Sequence, residues 1–114
     1  MQRFALLFPL FGLVFLTTNC SKDNSLRSLA YTEIKCGIPW NTNRENSNAE
    51  VEIAVTNFLE NNLMIPNSRV EATFDANEAQ GCKACNCKTG RKIVVEVEKG
   101  FVPILEDNGF TLIK

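Results

Sequence analysis

Apolar residues fall along this chain in one unbroken run and then in segments with a clear period. The unbroken run, Phe4 to Leu16, follows Arg3 and is thirteen residues long. A bilayer-spanning helix needs about 20 apolar residues, so this run is too short to span. It also carries Pro9 and Gly12, which a short spanning helix tolerates poorly. A basic start, a short apolar stretch and a polar flank make the pattern of a secretory signal. A buried N-terminal helix would need an amphipathic period, and the run has none.

The periodic segments start at Leu29. LAYTEIKC alternates through Leu29 and Tyr31, with Ile34 out of step, and predicts a strand near 29–35. GIPWNTNRENSN is a loop marked by Gly37, Pro39 and repeated Asn. Ser47 followed three residues later by Glu50 is a capping-box spacing. Val51, Ala54, Val55, Phe58, Leu59 and Leu63 then make one apolar face of a helix over 48–63. In RVEATFD, Val70, Ala72 and Phe74 face one way and the charged residues the other, as in a half-buried strand over 70–75. RKIVVEVEK repeats this over 92–98, with Ile93, Val95 and Val97 inward. Glu96 and Glu98 share the outward face. They have the look of a carboxylate pair, but the alternation makes them a solvated strand face. A second helix over 100–108 tolerates Pro103 in its first turn; Gly109 is its cap, and Phe110 packs back on it. TLIK closes the chain as a short strand.

The order βαββαβ predicts an α+β fold: a small two-layer sandwich, with helices on one face of an antiparallel sheet, and a ferredoxin-like arrangement favoured. At 114 residues the chain holds one small domain, placed here at 29–114. The formal charge of −1 gives no case for nucleic acid as a partner. No repeat or low-complexity tract interrupts the pattern.

Cysteine changes the picture more than charge does. Setting Cys20 aside, four remain: Cys36, Cys82, Cys85 and Cys87, the last three inside CKACNCKTGR. Cys82, Cys85 and Cys87 sit in ANEAQGCKACNCKTGR, a connection far longer than the usual two to five residues of a hairpin loop. An even count in a small exported domain predicts disulfides. A Cys85–Cys87 bridge would close a strained C-x-C ring and ranks last. Two pairings stay open: Cys36–Cys85 with Cys82–Cys87, or Cys36–Cys87 with Cys82–Cys85. The alternative is a metal site. Four thiolates can hold zinc tetrahedrally, and soft thiolates also select Cu(I). Lys83, Lys88, Arg91 and Lys92 would favour the thiolate forms. The absence of histidine excludes mixed Cys/His sites but not an all-cysteine one. The oxidising compartment favours disulfides. A third reading, Cys82 and Cys85 as an exchanging C-x-x-C pair, ranks below both, because Lys88-Thr89-Gly90 after it reads as a turn and not as a helix start.

Topology and cysteine arithmetic conflict. With strand one set parallel to strand three, Cys36 lies at the far end of a strand about 20 Å long, while bridged Cα atoms stand under about 7 Å apart. Either the long loop folds across the sheet, or strand one pairs differently, or Cys36 stays outside the cluster. Trp40, the only tryptophan, reads as a cover over the edge of the core or over a disulfide.

TTNCSKDNS puts Cys20 just past the apolar run and resembles the lipobox of bacterial lipoproteins. Thr17 and Asn19 stand where that family prefers Leu and a small residue. The resemblance implies that residues 1–19 are a signal peptide, that Cys20 is acylated as the first mature residue, and that 20–28 are anchor and tether. Cys-Ser-Lys-Asp-Asn is similar to the start of many Bacteroidota lipoproteins, which implies the cell envelope and its outer membrane. CGIPW at 36–40 and CKACNCKTGR at 82–91 look like a group of small cysteine-rich lipoproteins with no established activity. Removing Arg3 leaves eleven cations against thirteen acids, a mature charge of −2. The reading is therefore a lipid-anchored envelope protein, with a stapled interaction or structural domain and no catalytic constellation. It needs no cofactor. Its partners are the membrane, through the lipid, and an unspecified protein.

Overall fold

In a computed structural model that describes residues 25–114, Ser47 opens the first helix with the capping box its spacing predicts. The Ser47 hydroxyl accepts from the Glu50 N–H at 3.1 Å, and the Glu50 carboxylate accepts from the Ser47 N–H at 2.8 Å. Two of the helix's orphan amino-terminal donors are thereby satisfied. Helix α1 (Asn48–Asn61) buries Val51, Val55 and Leu59 completely, with Ala54 and Phe58 at the margin of the core; it ends two residues short of the predicted 48–63, and Leu63 joins that margin from just past its end. Burying each of the larger side chains contributes about 2 kcal/mol. The predicted signal peptide and Cys20 lie outside the described residues.

Strands β1 (Leu26–Ile34), β2 (Arg69–Phe74), β3 (Lys88–Glu98) and β4 (Thr111–Leu112) make one sheet in the order β2-β3-β1-β4. Every neighbouring pair is antiparallel. Leu29 pairs with Val95 and Tyr31 with Ile93, while Val70 and Ala72 stand across the same two β3 residues on the other side. Period two then puts all of these on one face. That face carries α1 and the short helix α2 (Val102–Asp107), and the core lies between. Over the described residues the fold is thus α+β, with two helices on a four-stranded antiparallel sheet. The other face carries Thr32, Glu71, Thr73, Lys92 and Glu96. Glu96 stands 3.8 Å from the exposed Arg69, as a solvated face would have it.

At the carboxyl end, Gly109 turns the chain with φ +94°. Its N–H donates to Glu106 O at 3.2 Å, and the Phe110 N–H to Leu105 O at 3.1 Å. This closes α2 and drops Phe110 into the core beside Tyr31, ring centroids 5.3 Å apart. Trp40 meets Tyr31 edge-on at 4.8 Å and Phe58 at 5.8 Å, so it covers the core and not a disulfide.

Four expectations need correction. Strand β1 runs antiparallel to β3, not parallel, so the end of β1 and the start of β3 share one end of the sheet. It begins at Leu26, inside the segment read as tether. Strand β3 begins at Lys88, four residues before the predicted start, because a bulge at its beginning breaks the alternation. Phe74 is exposed although it is in phase with Ala72 and pairs with the buried Arg91, because it is the last residue of the edge strand β2.

Candidate functional site

The antiparallel pairing brings Cys36, one residue past Lys35, against the loop that leads into β3. The Lys35 N–H donates to both Cys85 O and Cys87 O at 3.1 Å, and the Cys36 N–H to Cys85 O at 3.3 Å. These bonds carry the edge of β1 into the cysteine loop. The Lys35 ammonium also donates to Cys82 O. Cys36 is bonded to Cys85, Cα atoms 4.9 Å apart, and Cys82 to Cys87, Cα atoms 6.1 Å apart. Of the two pairings left open, this is the first.

The rest of the insertion is tied as well. Asp75 caps a 3-10 turn (Ala76–Glu78) by accepting from the Asn77 N–H at 2.9 Å. The Gln80 N–H donates to Lys88 O at 2.9 Å, and the Gln80 side-chain oxygen accepts from the Lys88 N–H at 2.8 Å. The long connection therefore has local structure of its own.

Beneath the cystines lies a polar cluster. Thr32 pairs with Lys92 and Ile34 with Lys88, so the single residue Glu33 faces the three residues 89–91. That bulge lets both Thr89 and Arg91 reach one carboxylate. Thr89 Oγ1 donates to Glu33 Oε1 at 2.6 Å, and Arg91 Nη1 to Glu33 Oε2 at 3.2 Å. Glu33 is fully buried and Arg91 is 5% exposed. The guanidinium also donates to the carbonyls of Asn43 at 3.5 Å, Arg44 at 3.3 Å and Asn46. It thus fixes the loop that delivers Ser47 to the helix start. Burial pushes the nearby Tyr31 phenol above its ordinary pKa, and the negative charge of Glu33 adds to this. The Glu50 carboxyl is held below its ordinary value, first by the Ser47 N–H and then by the Asn46 amide.

Gly90 makes the bulge possible. Its φ is +99°, and a Cβ there would lie 2.7 Å from Asp75 O and 2.9 Å from the Phe74 ring. Gly90→Ala is expected to lose roughly 3 kcal/mol in denaturant unfolding, from left-handed strain plus the clash. A loss below about 1 kcal/mol would show that the bulge relaxes at little cost.

The chemistry open to this end of the molecule follows from these bonds. All four sulfurs are spent in disulfides, so the zinc or Cu(I) site on Cys36, Cys82, Cys85 and Cys87 is not formed. Among the described residues, no group of three or more His, Cys, Asp or Glu side chains is placed to hold a metal. Cys82 pairs with Cys87 and not with Cys85, so the C-x-x-C exchange pair is not formed either. Arg91, expected to lower thiol pKa values, is committed to Glu33 and to the loop carbonyls. Lys35, Arg44 and Lys83 instead line a shallow cleft with Asn43 and Glu45. Sequence reasoning missed the Glu33–Thr89–Arg91 cluster. The signal was present: Glu33 is in phase with Leu29 and Tyr31, and Thr89 and Arg91 are in phase with Ile93 and Val95. No helix among the described residues is long and apolar enough to cross a membrane. Compared with protein-family models, with curated proteins and with solved structures, the chain finds no match in any of the three.

Proposed function

We propose that this chain is an exported, lipid-anchored protein of the bacterial cell envelope, placed in the outer membrane, with a disulfide-stapled domain that acts by interaction or structural support. The observation that carries the reading is the pairing of all four domain cysteines, in a chain whose fifth, Cys20, follows a short apolar run. Paired thiols persist in oxidising compartments and are reduced in the cytoplasm. The membrane is the first partner, through the lipid on Cys20. A protein partner is the second, and nucleic acid is none. Catalysis fits poorly: the chain has no histidine, and its domain thiols are spent.

Expression of the full precursor in a bacterium that matures lipoproteins tests this. The purified chain should begin at Cys20, carry acyl mass on it, weigh four hydrogens less than the reduced form, and take up no thiol label when denatured. Cys20→Ser should abolish the acyl mass and move the chain from the membrane to the soluble fraction. A mature chain with an unmodified Cys20 would overturn the anchoring. Four thiols that label only on denaturation, with bound zinc or copper in the native mass, would overturn the stapled domain.

A further inference from the structure

Leu26, Leu112 and Ile113 are 53%, 44% and 51% exposed. The fold brings all three to one end of the sheet. Leu26 opens β1, and Leu112 pairs with Leu29 three residues along it. The Ile113 N–H donates to Ser28 O at 2.7 Å, and the Ser28 N–H to Lys114 O at 2.9 Å, which lays the chain's last residues beside its first strand. Arg27 and Lys114 stand at the same end. Lys99 joins them, its N–H donating to Ser25 O at 3.0 Å. Two acids stand among them, Glu98 across from Leu26 and Glu96 across from Ser28. Leu112, opposite Leu29, lies on the helix face, and Leu26 and Ile113 on the other, so exposed apolar side chains stand on both faces of this end, with Arg27, Lys99 and Lys114 near them.

The chain also enters the domain here. Five residue steps separate Cys20 from Ser25, and a fully extended chain covers at most about 18 Å in that length. Cys36 lies at the opposite end, since β1 extends about 26 Å from Leu26 to Ile34.

We propose that this end of the domain rests on a lipid bilayer, with Leu26 and Ile113 at the acyl boundary and Arg27 and Lys114 facing anionic headgroups. The proposal rests on acylation of Cys20, which keeps the patch within the tether's reach of the surface. Apolar side chains edged by Lys and Arg suit an interfacial position. The strand direction then holds the cystine end and its Lys35–Arg44–Lys83 cleft away from the membrane, open to a partner.

The test uses the acylated full chain in vesicles of phosphatidylethanolamine and phosphatidylglycerol that carry a photoactivatable phospholipid. Intact mass first reads whether Cys20 is acylated. Crosslinked lipid is expected on peptides spanning 26–28 and 111–114. It should fall several-fold in a Leu26→Asn/Ile113→Asn variant whose acyl mass is unchanged. Label concentrated on 76–87, or spread evenly over the surface, would overturn the orientation while leaving the anchoring intact. If the mass shows no acyl group, the anchoring reading fails, and co-sedimentation of the unacylated chain with the same vesicles decides the patch. Binding lost in the double variant would support it, and no binding would overturn it. A concentration-dependent dimer lost in that variant would assign the patch to a second copy and overturn the bilayer proposal.

Discussion

Arg91→Met is expected to remove roughly 4 kcal/mol from the stability of the oxidised domain, read as a lower urea midpoint with little change in slope. Removing one partner of a buried ion pair leaves the other desolvated and uncompensated, and that penalty exceeds the net worth of the pair. Glu33 would keep the Thr89 hydroxyl but lose the guanidinium that faces its second oxygen. The substitution also strips donors from the carbonyls of Asn43, Arg44 and Asn46, which lead into the helix cap at Ser47. Glu33→Gln should therefore cost less than Arg91→Met, because Arg91 keeps its loop carbonyls. The Glu33→Met/Arg91→Met double variant should recover part of the loss, but not all, since those carbonyls still lack their donor. A domain of this size is stable by about 5–10 kcal/mol, so the single substitution consumes much of the total. Additive single and double losses, or an Arg91→Met loss below about 1 kcal/mol, would show the cluster to be solvated and energetically minor.

Why this cluster escaped the sequence, while α1 did not, is a matter of range. Helix α1 is specified locally: Ser47 and Glu50 are three residues apart, and the apolar face repeats within two turns. Its start was legible to the residue. The strands were legible as alternation, which names the buried face of each but not its partner. Glu33 and Arg91 are 58 residues apart, and only the register of β1 on β3 brings them together. What the chain did offer was a polar residue at an inward position in each of two strands, a combination stable only if the two meet. The misreading of β1 as parallel to β3 hid that meeting, and it raised the false conflict over Cys36. The start of β3 was lost for a related reason. The bulge at Gly90 departs from regular alternation, and a period-two reading begins only beyond it. The cysteine pairing was undecidable from spacing, because Cys82, Cys85 and Cys87 lie within six residues of one another. The Lys35 and Cys36 N–H groups decide it by holding Cys85 O against the end of β1.

The two disulfides should differ in what they contribute, and the difference follows from loop length. Cys36→Ala/Cys85→Ala opens a bridge with a sequence separation of 49, and Cys82→Ala/Cys87→Ala one with a separation of 5. In the chain-entropy account, the first removes about 4 kcal/mol and the second about 2 kcal/mol. Cys87 is buried and Cys82 is exposed, so the second variant also leaves a small void beneath the loop, which narrows the gap. The order should survive, since the long bridge constrains the unfolded chain from β1 through α1 and β2, while the short one constrains a single turn. Its loss should also act locally. Cys36 is three residues past Glu33, and Cys85 precedes Thr89 by four, so the bridge clamps the two segments that carry the buried cluster. Combining the Cys36/Cys85 removal with Arg91→Met should then cost less than the sum of the two, because each frees the same end of the sheet. Urea midpoints for the two cystine variants and for the combination would decide it. A larger loss from the Cys82/Cys87 removal, or strict additivity with Arg91→Met, would mean that the cystines and the buried ion pair hold separate parts of the domain.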